Sequence, residues 1–278
     1  MKRIPIRTIV INAFLLFFCV LSIFPVYVMV SASFKSQSEL AMDALSLPKT
    51  FTLVNYARLW NYNSGTIVHA YFNSLVITIS HTLIVLAFGS MAAYAFSKYR
   101  FKGRNILFTI LLATMMIPFE LSITPLYIIF SKIKWLNTYW IQIIPFTANV
   151  FAMFMLRQYM NGVPDALLEA ATIDGAGHLR TFTSIMLPVC KPSLGAVALL
   201  VALQKFNDYL WPRVVITKEF FKPIMVILPT LSEDADIFVL PRELIMTGCT
   251  IVIIPLIILF ICLQDMFMSS VTVGAVKE

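Results

Sequence analysis

The chain has 278 residues, of which 59% are hydrophobic and only 13% charged, about half the charged share of a soluble domain. A soluble protein of this length could not hide that much apolar surface, so lipid is its natural solvent. The net charge of +7 sits between apolar stretches, which reads as membrane topology rather than nucleic-acid binding.

A helix needs roughly 20 apolar residues to cross the hydrocarbon core. In chain order, residues 8–30, 74–96, 105–130, 138–156, 193–211 and 244–263 qualify. The expected fold is therefore an all-α membrane protein with six transmembrane helices in one domain over residues 1–278. The first stretch follows Lys2, Arg3 and Arg7, as a signal peptide would, but its apolar run is too long for one and reads as an uncleaved anchor. The third contains one charge, Glu120, and the fifth turns polar after Leu203.

Orientation follows from the short loops. Lys98, Arg100, Lys102 and Arg104 crowd the turn between the second and third spans. With the basic N-terminus they place both chain termini in the cytoplasm, together with that turn and the loop at about 161–190. Segments 34–73 and 212–243 then lie outside. The apolar run at 223–231 is too short to span and reads as a surface or re-entrant segment.

The inner loop 161–188 reads as two short helices joined by a glycine turn. Pro164 suits the first position of a helix, and Asp165 and Glu169 sit early, where the helix dipole favours acids. Gly175 can take the left-handed conformation that ends a helix. In the second helix Leu179, Phe182, Ile185 and Met186 fall on one face, and Pro188 is expected to stop it. Ala170 and Ala171 allow close approach of another surface, with Glu169 and Asp174 beside them. Such a segment is either a docking knob or an ordinary amphipathic loop helix.

Its spacing resembles the EAA loop of ABC importer permeases: Glu169-Ala170-Ala171, three residues, Gly175, nine residues, then Ile185-x-Leu187-Pro188. The version Glu-Ala-Ala-x-Ile-Asp-Gly-Ala resembles the carbohydrate-transporting, binding-protein-dependent branch related to the maltose permease subunit MalG. So do Ala93-Tyr-Ala-Phe96, Arg100-Phe-Lys-Gly-Arg104 and Met115-Met-Ile-Pro118. The resemblance implies a type I ABC importer transmembrane domain in a bacterial cytoplasmic membrane. It implies a second, MalF-like permease subunit, a dimer of cytoplasmic ATPase subunits and an extracytoplasmic solute-binding protein as partners. Glu169, Ala170, Ala171, Asp174, Gly175, Leu179 and Pro188 would then couple to the ATPase. No cofactor would be bound directly. The chain has no Gly-x-x-x-x-Gly-Lys-Ser/Thr phosphate loop, so ATP and magnesium would belong to the ATPase partner and the chain would not be an enzyme.

Charges inside a bilayer are expensive and mark pathways. Lys205, about 18 Å from the inner end of its span, stands with Phe206, Asn207, Asp208 and Tyr209, and Glu120 falls at a similar depth. These are the candidate path residues for a carbohydrate: an oligosaccharide, a disaccharide or a polyol or sugar phosphate. Lys205 and Asp208 can instead simply pair, and Tyr209 and Trp211 can form an interfacial belt. An ion-driven secondary transporter would need a relay of ionisable groups, for which one lysine and two acids are thin. A membrane enzyme would need a catalytic cluster, whereas His69, His81 and His178 fall in three regions. Cys19, Cys190, Cys249 and Cys262 form no C-x-x-C pair and read as small buried hydrophobes.

Overall fold

The computed structural model describes residues 6–233 and 241–275, and no strand occurs among them. The helices are α1 (Ile6–Ser33), α2 (Gln37–Met42), α3 (Val54–Trp60), α4 (Thr66–Lys98), α5 (Arg104–Thr114), α6 (Phe119–Lys132), α7 (Trp140–Ile143) and α8 (Val150–Asn161). They continue with α9 (Ala166–Ile173), α10 (His178–Thr181), a π-helical turn Phe182–Met186, α11 (Leu187–Val189) and α12 (Lys191–Phe206). Last come α13 (Leu210–Val215), α14 (Ile224–Ile227), α15 (Thr230–Glu233) and α16 (Arg242–Ala275). Among the described residues, three segments are long and apolar enough to cross a membrane unbroken: Arg7–Ser33, Tyr62–Lys98 and Arg242–Met268.

The other expected spans are not straight helices. The third breaks into α5 and α6, which meet at 94°. Pro118 caps α6 there. It has no N–H to continue the α5 ladder and it biases Ile117 away from helical angles. The fourth is reduced to α7, a break containing Pro145 and Phe146 at φ +69°, and α8. Asn149 starts α8 by accepting the Ala152 N–H at 2.8 Å. The fifth ends at Phe206 rather than residue 211, and α13 begins only at Leu210. Its N-terminal end meets the helical stretch His178–Val189 at 77°, where Pro192 cannot donate to the carbonyl one turn back. Pro188, expected to stop that stretch, lies inside it. The π-helical turn just before it widens the ladder, which accommodates a ring with no N–H to donate.

The chain divides into two compact units. One comprises Met1–His69 and Ile227–Ile254. Within it, Asn55 donates to the carbonyls of Ser33 at 3.0 Å and Lys35 at 2.7 Å. Arg58 pairs at 3.1 Å with the buried Glu243. Asp43 accepts the N–H groups of Leu45 and Ser46, and the bonds from Ser46 hold its carboxyl below the usual range. The α1 side chains from Ile9 to Phe24 are exposed throughout and, Asn12 and Ser22 apart, apolar, as lipid-facing residues are. Cys19 in α1 and Cys262 in α16 are exposed too, so only Cys190 fulfils the expectation of buried cysteines.

The second unit comprises Ala70–Val226 and Pro255–Glu278. Val85, Ala93 and Phe96 of α4 pack with Phe108 of α5, Met153, Leu156 and Met160 of α8, and Val197 and Val201 of α12. Small residues permit the closest approaches, as in membrane helix packing. A Cβ on Gly195 would fall 2.5 Å from the Met266 sulfur. Phe206, expected in the solute path, is buried at 3% exposure. Trp211 is fully buried, donating its indole N–H to the Ile141 carbonyl at 2.8 Å, so it is no interfacial belt residue.

Candidate coupling surface and transmembrane cavity

The Glu169 segment forms α9, which begins at Ala166 and not at Pro164. Asp165 occupies its N-cap position, but its carboxylate does not cap. Instead it accepts from Lys98 Nζ at 2.6 Å, and the same ammonium donates to the Val163 carbonyl at 2.6 Å. This bond and the Lys98 charge hold the Asp165 carboxyl below its ordinary value. Gly175 has φ +77°. Its N–H reaches the Thr172 carbonyl and the next N–H, of Ala176, reaches Ala171 at 2.9 Å, which is the Schellman closure.

α9 lies against its own unit through Ala171, 4% exposed. Glu169, Ala170 and Asp174 are exposed, and Ile173 is 86% exposed. The following stretch buries Phe182 and Met186, with Ile185 half-buried. Leu179, expected on the same face, is 72% exposed, and Pro188 is exposed. Leu167, Ile173 and Leu179 therefore make the segment an apolar protrusion flanked by acids. Sequence reasoning passed over Leu167 and Ile173, because helical spacing alone does not say which face is covered. The protrusion is seated on the end of α4: the Tyr99 ring meets Tyr94 at 5.4 Å and His178 at 5.4 Å, and Tyr94 meets Phe182 at 5.2 Å.

Elsewhere in the same unit lies a cavity of about 450 Å³. Glu120, Lys205, Asn207, Asp208 and Tyr209 all line it, although Glu120 is some 85 residues away in sequence from the others. The break after Phe206 produces this convergence. With α12 ended, residues 207–209 leave the helix and line the cavity. Asn207 Nδ2 donates back to the Leu203 carbonyl at 2.9 Å, satisfying one orphan acceptor of the helix end. Lys205 donates to Asp208 at 3.0 Å, with the two side chains 6% and 19% exposed. The pair and the cavity coexist, so the two sequence readings of these residues meet. Phe206 points away from the lining.

The wall also includes Phe119, Phe146, Gln204 and His81. The His81 Nδ1 lies 2.7 Å from the Ile143 carbonyl; a carbonyl only accepts, so this nitrogen carries the proton. His81 was legible as a polar residue in an apolar span, whereas Phe146 owes its place to a positive-φ break that no periodicity announces. Aromatic faces beside hydroxyl-bonding groups are the chemistry of sugar binding. The described residues contain no cluster of His, Cys, Asp and Glu fit for a metal ion.

Residues 85–273 match the family of binding-protein-dependent transport system inner membrane components. Among similar proteins, the arabinooligosaccharides transport system permease protein AraQ of Bacillus subtilis is 35% identical, over 99% of this chain and 98% of its own. The diacetylchitobiose uptake system permease protein NgcG of Streptomyces coelicolor is 28% identical over 96% and 88%. The sn-glycerol-3-phosphate transport system permease protein UgpE of Shigella flexneri is 33% identical over 77% and 78%. Among solved structures, a bacterial ABC transporter chain involved in import of the acidic polysaccharide alginate superposes with a TM-score of 0.84 at 25% identity, covering 96% of this chain and 100% of that one. With its long apolar spans and these matches, the chain belongs to the binding-protein-dependent inner membrane component family, as a multi-pass permease of the sugar ABC importer branch.

Proposed function

We propose that this chain is one permease subunit of a bacterial importer and that it forms, with a second permease subunit, the membrane path for a carbohydrate. An extracytoplasmic binding protein delivers the solute. A dimer of cytoplasmic ATPase subunits binds ATP and magnesium and supplies the energy. The loop at 161–190 receives the ATPase through Glu169, Ala170, Asp174 and Leu179, with Ala171, Gly175 and Pro188 fixing its shape. Glu120, Lys205, Asn207, Asp208 and Tyr209 face the solute, and Phe206 holds the turn from behind.

The observation that carries this reading is α9. It is a short helix ended at Gly175 with Glu169, Ala170 and Ile173 free of the fold, and so a surface built to be covered by another protein. The relatives are named for neutral and anionic solutes alike, and what these share is a hydroxyl-rich skeleton, that of a sugar or a polyol phosphate. Purification of the chain should bring down an ATPase, and proteoliposomes holding the complex should accumulate a sugar only with ATP and binding protein. Accumulation driven by an ion gradient alone would favour a secondary transporter. Six spans with both termini inside predict that reporter fusions after Lys102 and Glu278 read as cytoplasmic. An external signal at either would reverse the orientation.

A further inference from the structure

The cavity carries three charged side chains, and their balance bears on what can pass. Lys205 is its one cation among the described residues, and Asp208 neutralises it at 3.0 Å. The pair is tight because both side chains are largely withdrawn from solvent, so separating them would strand a charge in a low-dielectric wall. Glu120 lines the same cavity from the first turn of α6, and no ion pair or hydrogen bond from the described residues occupies its carboxylate. The remaining polar groups carry no fixed charge: Asn207, with Nδ2 committed to the Leu203 carbonyl, Asn149, Gln204, Tyr209 and the buried His81, whose Nδ1–H is spent on the Ile143 carbonyl. Among the described residues, this wall thus presents one uncompensated negative charge and no free cation.

From this balance we infer that the solute crossing this subunit is an uncharged carbohydrate, and that Glu120 is a specificity-determining residue. The inference rests on the proposed importer reading and deepens it. A phosphate or a uronate needs a cation to replace the water it loses, and arginine or lysine forks are the usual provision. Here the lysine is already spent, and Glu120, which is exposed and unpaired, would repel the anion. A neutral sugar meets the opposite situation. A free carboxylate accepts two hydroxyl hydrogens at once, which suits vicinal diols, and the rings of Phe119, Phe146 and Tyr209 offer faces for the sugar's C–H side. Glu120 thereby excludes sugar phosphates and acidic oligosaccharides while binding hydroxyls.

The test uses the intact complex in two arms. In the first, the four native cysteines are replaced by serine or alanine and Gln204→Cys places one thiol in the wall. A cationic trimethylammonium thiosulfonate should modify it about 5-fold faster than an anionic sulfonate analogue, after correction for intrinsic reactivity, and Glu120→Gln should remove that preference. Faster modification by the anion, or a ratio indifferent to Glu120→Gln, overturns the inference. In the second arm, proteoliposomes with binding protein and ATP are offered arabinotriose, diacetylchitobiose, glycerol 3-phosphate and a mannuronate trimer. Uptake confined to the first two supports the inference. Uptake of either anion overturns it and leaves the importer standing, whereas ATP-independent uptake overturns the importer reading itself.

Discussion

The α9 protrusion and the cavity at the end of α12 are built from opposite materials. α9 is nearly all surface: one buried alanine, exposed apolar and acidic side chains, and a glycine with open space where a side chain would stand. The cavity is a hole in a packed wall, with its lysine and aspartate paired and Trp211 locked to the Ile141 carbonyl behind it. The contrast teaches where mutations should act. Substitutions in the protrusion should change what the protein transmits and leave its own stability alone, while substitutions around the cavity should be felt in both.

The largest effect is expected at Gly175. A Cβ added there would meet no atom within 4 Å, but φ is +77°, so Gly175→Val is limited by backbone strain of about 1 kcal/mol or more. The turn then closes differently and α9 is misaimed. Uptake should be abolished, with ATPase retention reduced, while membrane abundance stays near normal. Glu169→Lys should act similarly by reversing charge on the exposed face. Normal uptake in both would remove the coupling role and erase the contrast.

Trp211→Ala should show the other side of it. The indole is fully buried among Phe130, Phe146 and Ile141, and deleting such a side chain costs about 3–5 kcal/mol. Expected is a lower thermal midpoint of the purified complex together with lost uptake. A stable complex that fails only in transport would instead make Trp211 part of the path. Asn207→Ala should be milder: losing one bond to the Leu203 carbonyl costs about 1 kcal/mol, and transport should fall several-fold through the changed wall. Wild-type transport would move the solute contacts to the partner subunit.

The protrusion was far easier to read in the sequence than the cavity. The spacing of Glu169, Gly175 and Pro188 is local, and a glycine turn between two short helices can be derived from cap and dipole rules, as the φ of Gly175 bears out. The location of the apolar spans was legible for the same reason, since hydropathy counts residues. Their continuity was not. Pro118, Pro145 and Pro192 were visible, yet a proline inside an apolar run can kink a helix or end it, and tertiary packing chooses. The end of α12 at Phe206 hid in a stretch that stays helix-compatible to Trp211. That early stop brings residues 207–209 onto the cavity with Glu120, so the site depended on the least legible feature of the fold.

The smallest effect is expected where α9 is moored. The Lys98 side chain is 8% exposed and holds the 73%-exposed Asp165 side chain and the Val163 carbonyl at once. Surface pairs of this kind contribute little, but this one fixes where the knob starts. The Asp165 carboxyl is held below its ordinary value of 3.8, so its support is fully present above that pH and is lost as the pH falls through the lower, folded-state value. Acidification from pH 7 to 5 should therefore leave the mooring unchanged. Asp165→Asn should make the loop modestly more open to limited proteolysis at pH 7, and the difference from wild type should vanish only well below pH 3.8. Lys98→Met should open it further than Asp165→Asn, because the Val163 carbonyl loses its donor as well. If Asp165→Asn and Lys98→Met leave cleavage at wild-type rates, α9 is positioned by the Tyr94, Tyr99, His178 and Phe182 rings alone, and the ion pair is incidental to coupling.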